Sequence, residues 1–145
     1  MNFRTKSRII ALQSLYELDL TDHDLVEIVS ERSEEDNLDS EQYAFALAIV
    51  KGVCNFEQQL DSAIAIFAPE WPMDQVAVID RNILRMALWE LAVYKHTPLK
   101  VGINEAVELA KNYGTDSSPR FVNGVLGSLA DNMDKISRSL VVEKL

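Results

Sequence analysis

The chain has 145 residues, with 14 Lys plus Arg against 23 Asp plus Glu, so its formal net charge is −9, and its length suits one compact domain. Apolar residues make up 48%, which argues against intrinsic disorder, and the single cysteine, Cys54, excludes an intramolecular disulfide framework or a Cys-rich zinc site. No apolar run approaches the roughly 20 residues of a membrane span, and Gln13 and Ser14 interrupt the only N-terminal apolar stretch that resembles a signal peptide, so a cytoplasmic protein without membrane contact is expected.

In chain order, Ile9, Leu12, Leu15, Tyr16 and Leu18 recur at helical spacing and predict a first helix near residues 4–18. Arg4, Lys6 and Arg8 form a basic arm leading into it, and residues 1–16 carry +3. Residues 17–45 carry −10 and the remaining hundred only −2. The acidity is one block, and charges separated by more than a Debye length of about 8 Å are largely screened. A net −9 therefore does not exclude a nucleic-acid partner. Within the acidic block, Leu25, Val26, Ile28 and Val29 predict a short second helix beginning after Thr21 or Asp22. Ser40 precedes a long periodic segment from Tyr43 to Phe67, in which Gly52 and Asn55 are candidate break points. Ala68-Pro69-Glu70-Trp71-Pro72 cannot continue a helix. It divides the chain into an N-terminal helical bundle, about 1–68, and a C-terminal one, about 73–135.

Gln75 to Tyr94 carries Val76, Ile79, Ile83, Met86 and Ala87 in helical register. Thr97-Pro98 reads as an N-cap followed by proline at the first helical position, opening a helix to Tyr113, with Gly114 as its C-terminal cap. Ser118-Pro119 repeats the signal and opens a helix to about Met133. No alternating strand pattern occurs. The expected fold is all-α, two small helical bundles packed as one domain.

A catalytic constellation is missing from the pattern. His23 and His96 are far apart, and the carboxylate pairs Glu57/Asp61 and Glu105/Glu108 lack the Glu-x-x-His partners of a di-iron bundle. Gly124 and Gly127 fall inside a helix rather than in a phosphate-cradling loop. No enzyme activity, metal or cofactor is expected. Three features remain that packing does not explain. They are the basic arm, the turn Ser117-Ser118-Pro119-Arg120-Phe121 that sets a cation beside an aromatic at a helix start, and the glycine-interrupted Phe121-Val122-Asn123-Gly124-Val125-Leu126. Glycine costs about 1 kcal/mol relative to alanine inside a helix, so a close helix approach or a partner contact is expected at Gly124.

These residues carry a resemblance. Arg8-Ile9-Ile10-Ala11-Leu12-Gln13-Ser14-Leu15-Tyr16-Glu17-Leu18-Asp19, Ile79-Asp80-Arg81-Asn82-Ile83-Leu84-Arg85-Met86-Ala87, Val101-Gly102-Ile103-Asn104-Glu105-Ala106 through Gly114, and Phe121 to Leu126 are collinear blocks. Together they resemble the NusB family of bacterial transcription antitermination factors over nearly the whole chain. The resemblance implies an all-helical protein of two bundles that binds the boxA element of nascent ribosomal RNA transcripts. It implies a heterodimer with the ribosomal protein NusE, joined to other Nus factors and RNA polymerase to suppress premature termination. By the same resemblance, RNA contacts fall on Arg4, Lys6, Arg8, Gln13, Tyr16, Arg120 and Phe121, and the acid facing NusE corresponds to Asp80. Two features depart from the family pattern: the arm has only three bases, interleaved with Thr5 and Ser7, and Pro119 fixes the turn before Arg120. A homodimer or helical interaction module without direct RNA binding is the alternative reading.

Overall fold

The computed structural model describes residues 3–144, with side chains described as far as Leu140. Among the described residues there are seven α-helices and no strand, in agreement with the all-α expectation. None of these helices is long and apolar enough to cross a membrane. The chain divides into two compact units, Met1–Asn55 and Phe56–Leu145. The division falls inside a helix, earlier than the proline-containing segment 68–72.

The first unit holds α1 (Thr5–Leu20), α2 (Leu25–Glu35) and the beginning of α3 (Ser40–Phe67). Ile10, Leu12, Leu15, Ile28, Val29, Phe45, Ile49 and Val53 are among its buried apolar side chains. The cap of α2 is Asp24, whose Oδ2 accepts from the Glu27 N–H at 3.2 Å. Thr21 does not begin that helix; its hydroxyl donates to the Glu17 carbonyl at the end of α1. A reciprocal capping box opens α3. The Asp39 N–H donates to Gln42 Oε1 at 3.0 Å, and the Gln42 N–H to Asp39 Oδ1 at 2.8 Å. Gly52 and Asn55 do not interrupt α3, which runs unbroken to Phe67.

Glu17 holds α1 to α2. Its Oε1 accepts from Arg32 Nε at 3.1 Å and Nη2 at 2.9 Å, and its Oε2 lies 2.9 Å from His23 Nδ1. The hydrogen bond from His23, and then that from Arg32, hold the Glu17 carboxyl below its ordinary value of 4.5. A carboxylate whose pKa is depressed by folding stabilises at neutral pH, and that contribution is lost as the pH falls below the unfolded value and through the lowered one. Glu17→Gln is accordingly expected to flatten the acid limb of the melting-temperature profile below about pH 4.5. An unchanged limb would show that this cluster does not couple the two helices.

The second unit contains the end of α3, a 3-10 turn at Met73–Gln75, α4 (Val78–Trp89), α5 (Leu99–Tyr113), α6 (Ser118–Ala130) and α7 (Met133–Lys144). Leu60, Ile64, Ile83, Leu84, Leu88, Leu126, Leu129, Ile136 and Leu140 are its most buried large side chains. Beyond Trp89, α4 widens into a π-helical segment, Glu90–Tyr94, where the Lys95 N–H reaches back five residues to the Glu90 carbonyl at 2.9 Å. Lys95 then closes it in the left-handed region, φ 65°.

Helix ends in this unit differ in detail from the expectation. Pro98, not Thr97, occupies the N-cap position of α5, because the Thr97 hydroxyl donates to the buried Glu90 carboxylate. Gly114 is the C-terminal cap of α5, as expected, with φ −96° rather than in the left-handed region. Glycine is required there for space: a Cβ would fall on the Ser118 hydroxyl and 2.9 Å from the Ala110 carbonyl oxygen. The helix expected to reach Met133 stops at Ala130, and α7 follows as a separate element.

Candidate nucleic-acid interface

The basic residues near the N-terminus are not an extended arm. Arg4 is the N-cap of α1, and the Arg8 N–H donates to the Arg4 carbonyl at 3.1 Å, so Lys6 and Arg8 lie in the first helical turn. At 100° per residue, a base at every second position alternates between opposite sides of a helix. Arg4 and Arg8 therefore share one side, and Lys6 points roughly the other way. The guanidinium of Arg4 sits 4.7 Å from the centroid of the Phe45 ring and that of Arg8 5.5 Å. Arg8 is buried, Arg4 half-buried and Lys6 exposed. Gln42 fixes this arrangement, since its Nε2 donates to the Phe3 carbonyl at 3.0 Å and its own carbonyl accepts from the Ser7 hydroxyl at 2.9 Å.

Helical geometry puts Lys6, Gln13 and Tyr16 within about a quarter turn of one another on α1. Gln13 is half-exposed and Tyr16 is exposed. This unit therefore presents a cation, an amide and a phenol on one helical face, while Arg4 and Arg8 are held over an aromatic ring.

The second unit collects the other candidates around one groove of about 370 Å³, lined by Trp71, Gln75, Asp80, Ser117, Arg120 and Phe121 among others. Asp80, in the first turn of α4, is only 8% exposed. Its Oδ2 accepts from the Ser118 hydroxyl at 3.0 Å, and that hydroxyl accepts from the Thr115 N–H at 2.9 Å. The start of α6 is thereby clasped to α4, and Ser118 is consumed inside the protein rather than offered to a phosphate. Asp80 Oδ1 is buried without a hydrogen-bond partner among the described residues.

One and two residues beyond Pro119, which occupies the first turn of α6, Arg120 is exposed and Phe121 half-buried. The Phe121 ring meets Trp71 edge-to-face, centroids 5.5 Å apart and planes at 76°. Sequence reasoning missed Trp71, reading residues 68–72 as punctuation alone. Its signal was the mid-helix glycine, because a Cβ on Gly124 would stand 3.1 Å from Trp71 Cζ2. The close neighbour of Gly124 is thus an indole ring from a non-helical segment, not the second helix that was expected. Among the described residues, no group of three His, Cys, Asp or Glu side chains could hold a metal ion.

A basic-aromatic pair at a helix start, clasped to an acid of the central helix, matches the blocks that carried the resemblance. The NusB family model matches residues 5–131. A transcription antitermination protein NusB from Roseiflexus castenholzii is 46% identical over 139 residues, covering 94% of this chain and 98% of the relative. The chain belongs to the NusB family. Another NusB relative, from a Roseiflexus species, is 48% identical over 130 residues, covering 88% of this chain and 92% of its own length. Among solved structures, T. maritima NusB superposes with a TM-score of 0.82 at 32% identity, over 94% of this chain and 96% of that one. A structure described as antitermination factors NusB and NusE in complex with dsRNA superposes with a TM-score of 0.80 at 28% identity, over 91% of this chain and 98% of that one.

Proposed function

We propose that this NusB-family chain is a non-catalytic transcription antitermination factor that binds RNA jointly with NusE. In this reading the pair takes the boxA element of nascent ribosomal RNA transcripts. It then joins other Nus factors on RNA polymerase and suppresses premature termination. The observation that carries the reading is the exposed Arg120 beside the half-buried Phe121 on one groove. A guanidinium neutralises phosphate, and an aromatic face stacks an unpaired base. Lys6, Gln13 and Tyr16 supply a second polar face on α1, with Arg4 contributing its half-buried charge. Arg8 acts indirectly, by fixing the helix start against Phe45.

Asp80 serves the partner side. It seats the α6 start through Ser118 and lines the groove, where its carboxylate charge attracts a basic donor from NusE. With Lys6 and Arg120 the exposed cations of the two candidate faces and a net charge of −9, the chain alone is a weak RNA ligand, and a basic partner complements it. The test is a titration of labelled boxA RNA with the chain alone, with NusE alone and with both. Tighter binding by the mixture than by either component supports the reading. Absence of RNA binding by the mixture refutes it, and a homodimer unaffected by RNA favours the interaction-module alternative.

A further inference from the structure

Trp71 lies between Pro69 and Pro72, in a segment that cannot be helical. Beside the ring pair already described, one hydrogen bond closes this segment on itself and a second fastens it to α6. The Trp71 N–H donates to the Ala68 carbonyl at 3.0 Å, and Glu70 Oε1 accepts from the Ser128 hydroxyl at 3.1 Å. Phe121, Gly124 and Ser128 are spaced three and four apart, so they form one stripe along α6. The indole lies over the middle of that stripe, 3.1 Å from where a Gly124 Cβ would be, with Phe121 against it. Trp71 Nε1 is buried without a hydrogen-bond partner among the described residues, so ring contacts rather than a hydrogen bond set its place.

We propose that Trp71, seated on Gly124, is a positioning residue that holds the Phe121 ring ready to stack an unpaired RNA base. This rests on the reading of Phe121 as an RNA contact. A lone phenylalanine on a helix surface exchanges rotamers and loses that freedom when a base binds. One held edge-to-face by a fixed indole has less to lose. Gly124 is then the residue that makes the seat, and its methyl-free surface is part of the RNA-binding apparatus without touching RNA.

The test is a double-mutant cycle on the full chain in the presence of NusE, reading boxA RNA affinity well below the melting temperature of every variant. Phe121→Ala is expected to weaken binding at least about five-fold, the low end for loss of a stacked base. Trp71→Ala is expected to weaken it about two- to ten-fold, the range of an aromatic pair, and to cause no further loss in the Phe121→Ala background. Trp71→Phe keeps a ring against Phe121 and is expected to retain most of the affinity. Gly124→Ala, which removes no aromatic group, is expected to weaken binding by displacing the indole. Losses that multiply in the double variant, or Trp71→Ala binding like the wild type while Phe121→Ala is weakened, overturn the positioning role. Phe121→Ala binding like the wild type overturns the RNA reading of Phe121 and the positioning role with it.

Discussion

Arg85→Ala is expected to destabilise the second unit by about 3 kcal/mol, the low end of the range for breaking a buried ion pair by removing one partner. The Arg85 side chain is only 10% exposed and faces two acids of α3. Its Nε and Nη2 donate to Asp61 Oδ1 and Oδ2 at 2.8 and 2.7 Å, a bidentate fork, and its Nη1 lies 3.0 Å from Glu57 Oε1. Asn82 Oδ1 accepts a longer bond of 3.4 Å from the same Nη1. The acids are 34% and 49% exposed, so they regain water when the guanidinium is removed, which keeps the loss at the low end. Arg85→Lys keeps the charge but not the planar fork and is expected to recover only part of the stability. Arg85→Met, which keeps the buried stem, is expected to cost less than alanine. Urea unfolding midpoints measure all three. An alanine variant within about 0.5 kcal/mol of the wild type, the scale of an ordinary surface substitution, would show that the cluster is a surface ornament.

Ile136→Ala is expected to cost about 2–5 kcal/mol, as for other buried aliphatic truncations. Ile136 is 0% exposed and Leu140 1%, one turn apart on the buried side of α7. Between them, the Ser137 hydroxyl donates to the Ala92 carbonyl at 2.5 Å, satisfying a backbone acceptor of the π-helical segment. Helix α7 therefore closes the second unit against Glu90–Tyr94, and the unit is incomplete without it. Ile136→Val, which leaves a smaller cavity, is expected to cost about 0.5–1.5 kcal/mol. Equal stability of the alanine variant and the wild type, read from the same unfolding curves, would show α7 to be a loosely attached tail.

The elements legible in the sequence were those with a strong period or a chemical punctuation mark. Pro119 marks the start of α6, although Ser117 rather than Ser118 holds its N-cap position, and the apolar stripe of α4 is continuous to Trp89. The widening to a π-helix was not legible, because Glu90-Leu91-Ala92-Val93-Tyr94 has the same residue types as the α-helix before it. The pairing of Lys95 with Glu90, five residues back, marks the change. Helix α7 escaped notice because its deepest anchors, Ile136 and Leu140, stand among Lys135, Ser137, Arg138 and Ser139.

At the candidate site, the Arg120-Phe121 pair was visible as chemistry, while its support was not. Trp71 is fifty residues away in the chain and sits in what reads as a linker. The basic residues were visible as a charge cluster, but a charge count has no register. The alternation of Arg4, Lys6 and Arg8 becomes meaningful only once they are helical, when two turn toward Phe45 and one toward solvent. The net charge sharpened in the same way. The acidic block is partly internal bookkeeping, with Glu17 bound to Arg32 and His23, and Asp24 and Asp39 serving as helix caps.

The central claim is that the α6 edge of this chain contacts RNA within a complex with NusE. Its most direct measurement is the affinity of labelled boxA RNA for an equimolar mixture of NusE with either the wild-type chain or Phe121→Ala. The account predicts that the wild-type mixture binds and that Phe121→Ala weakens binding at least about five-fold, the loss of one stacked base. A wild-type mixture that does not bind, or a Phe121→Ala mixture that binds equally well, would contradict it.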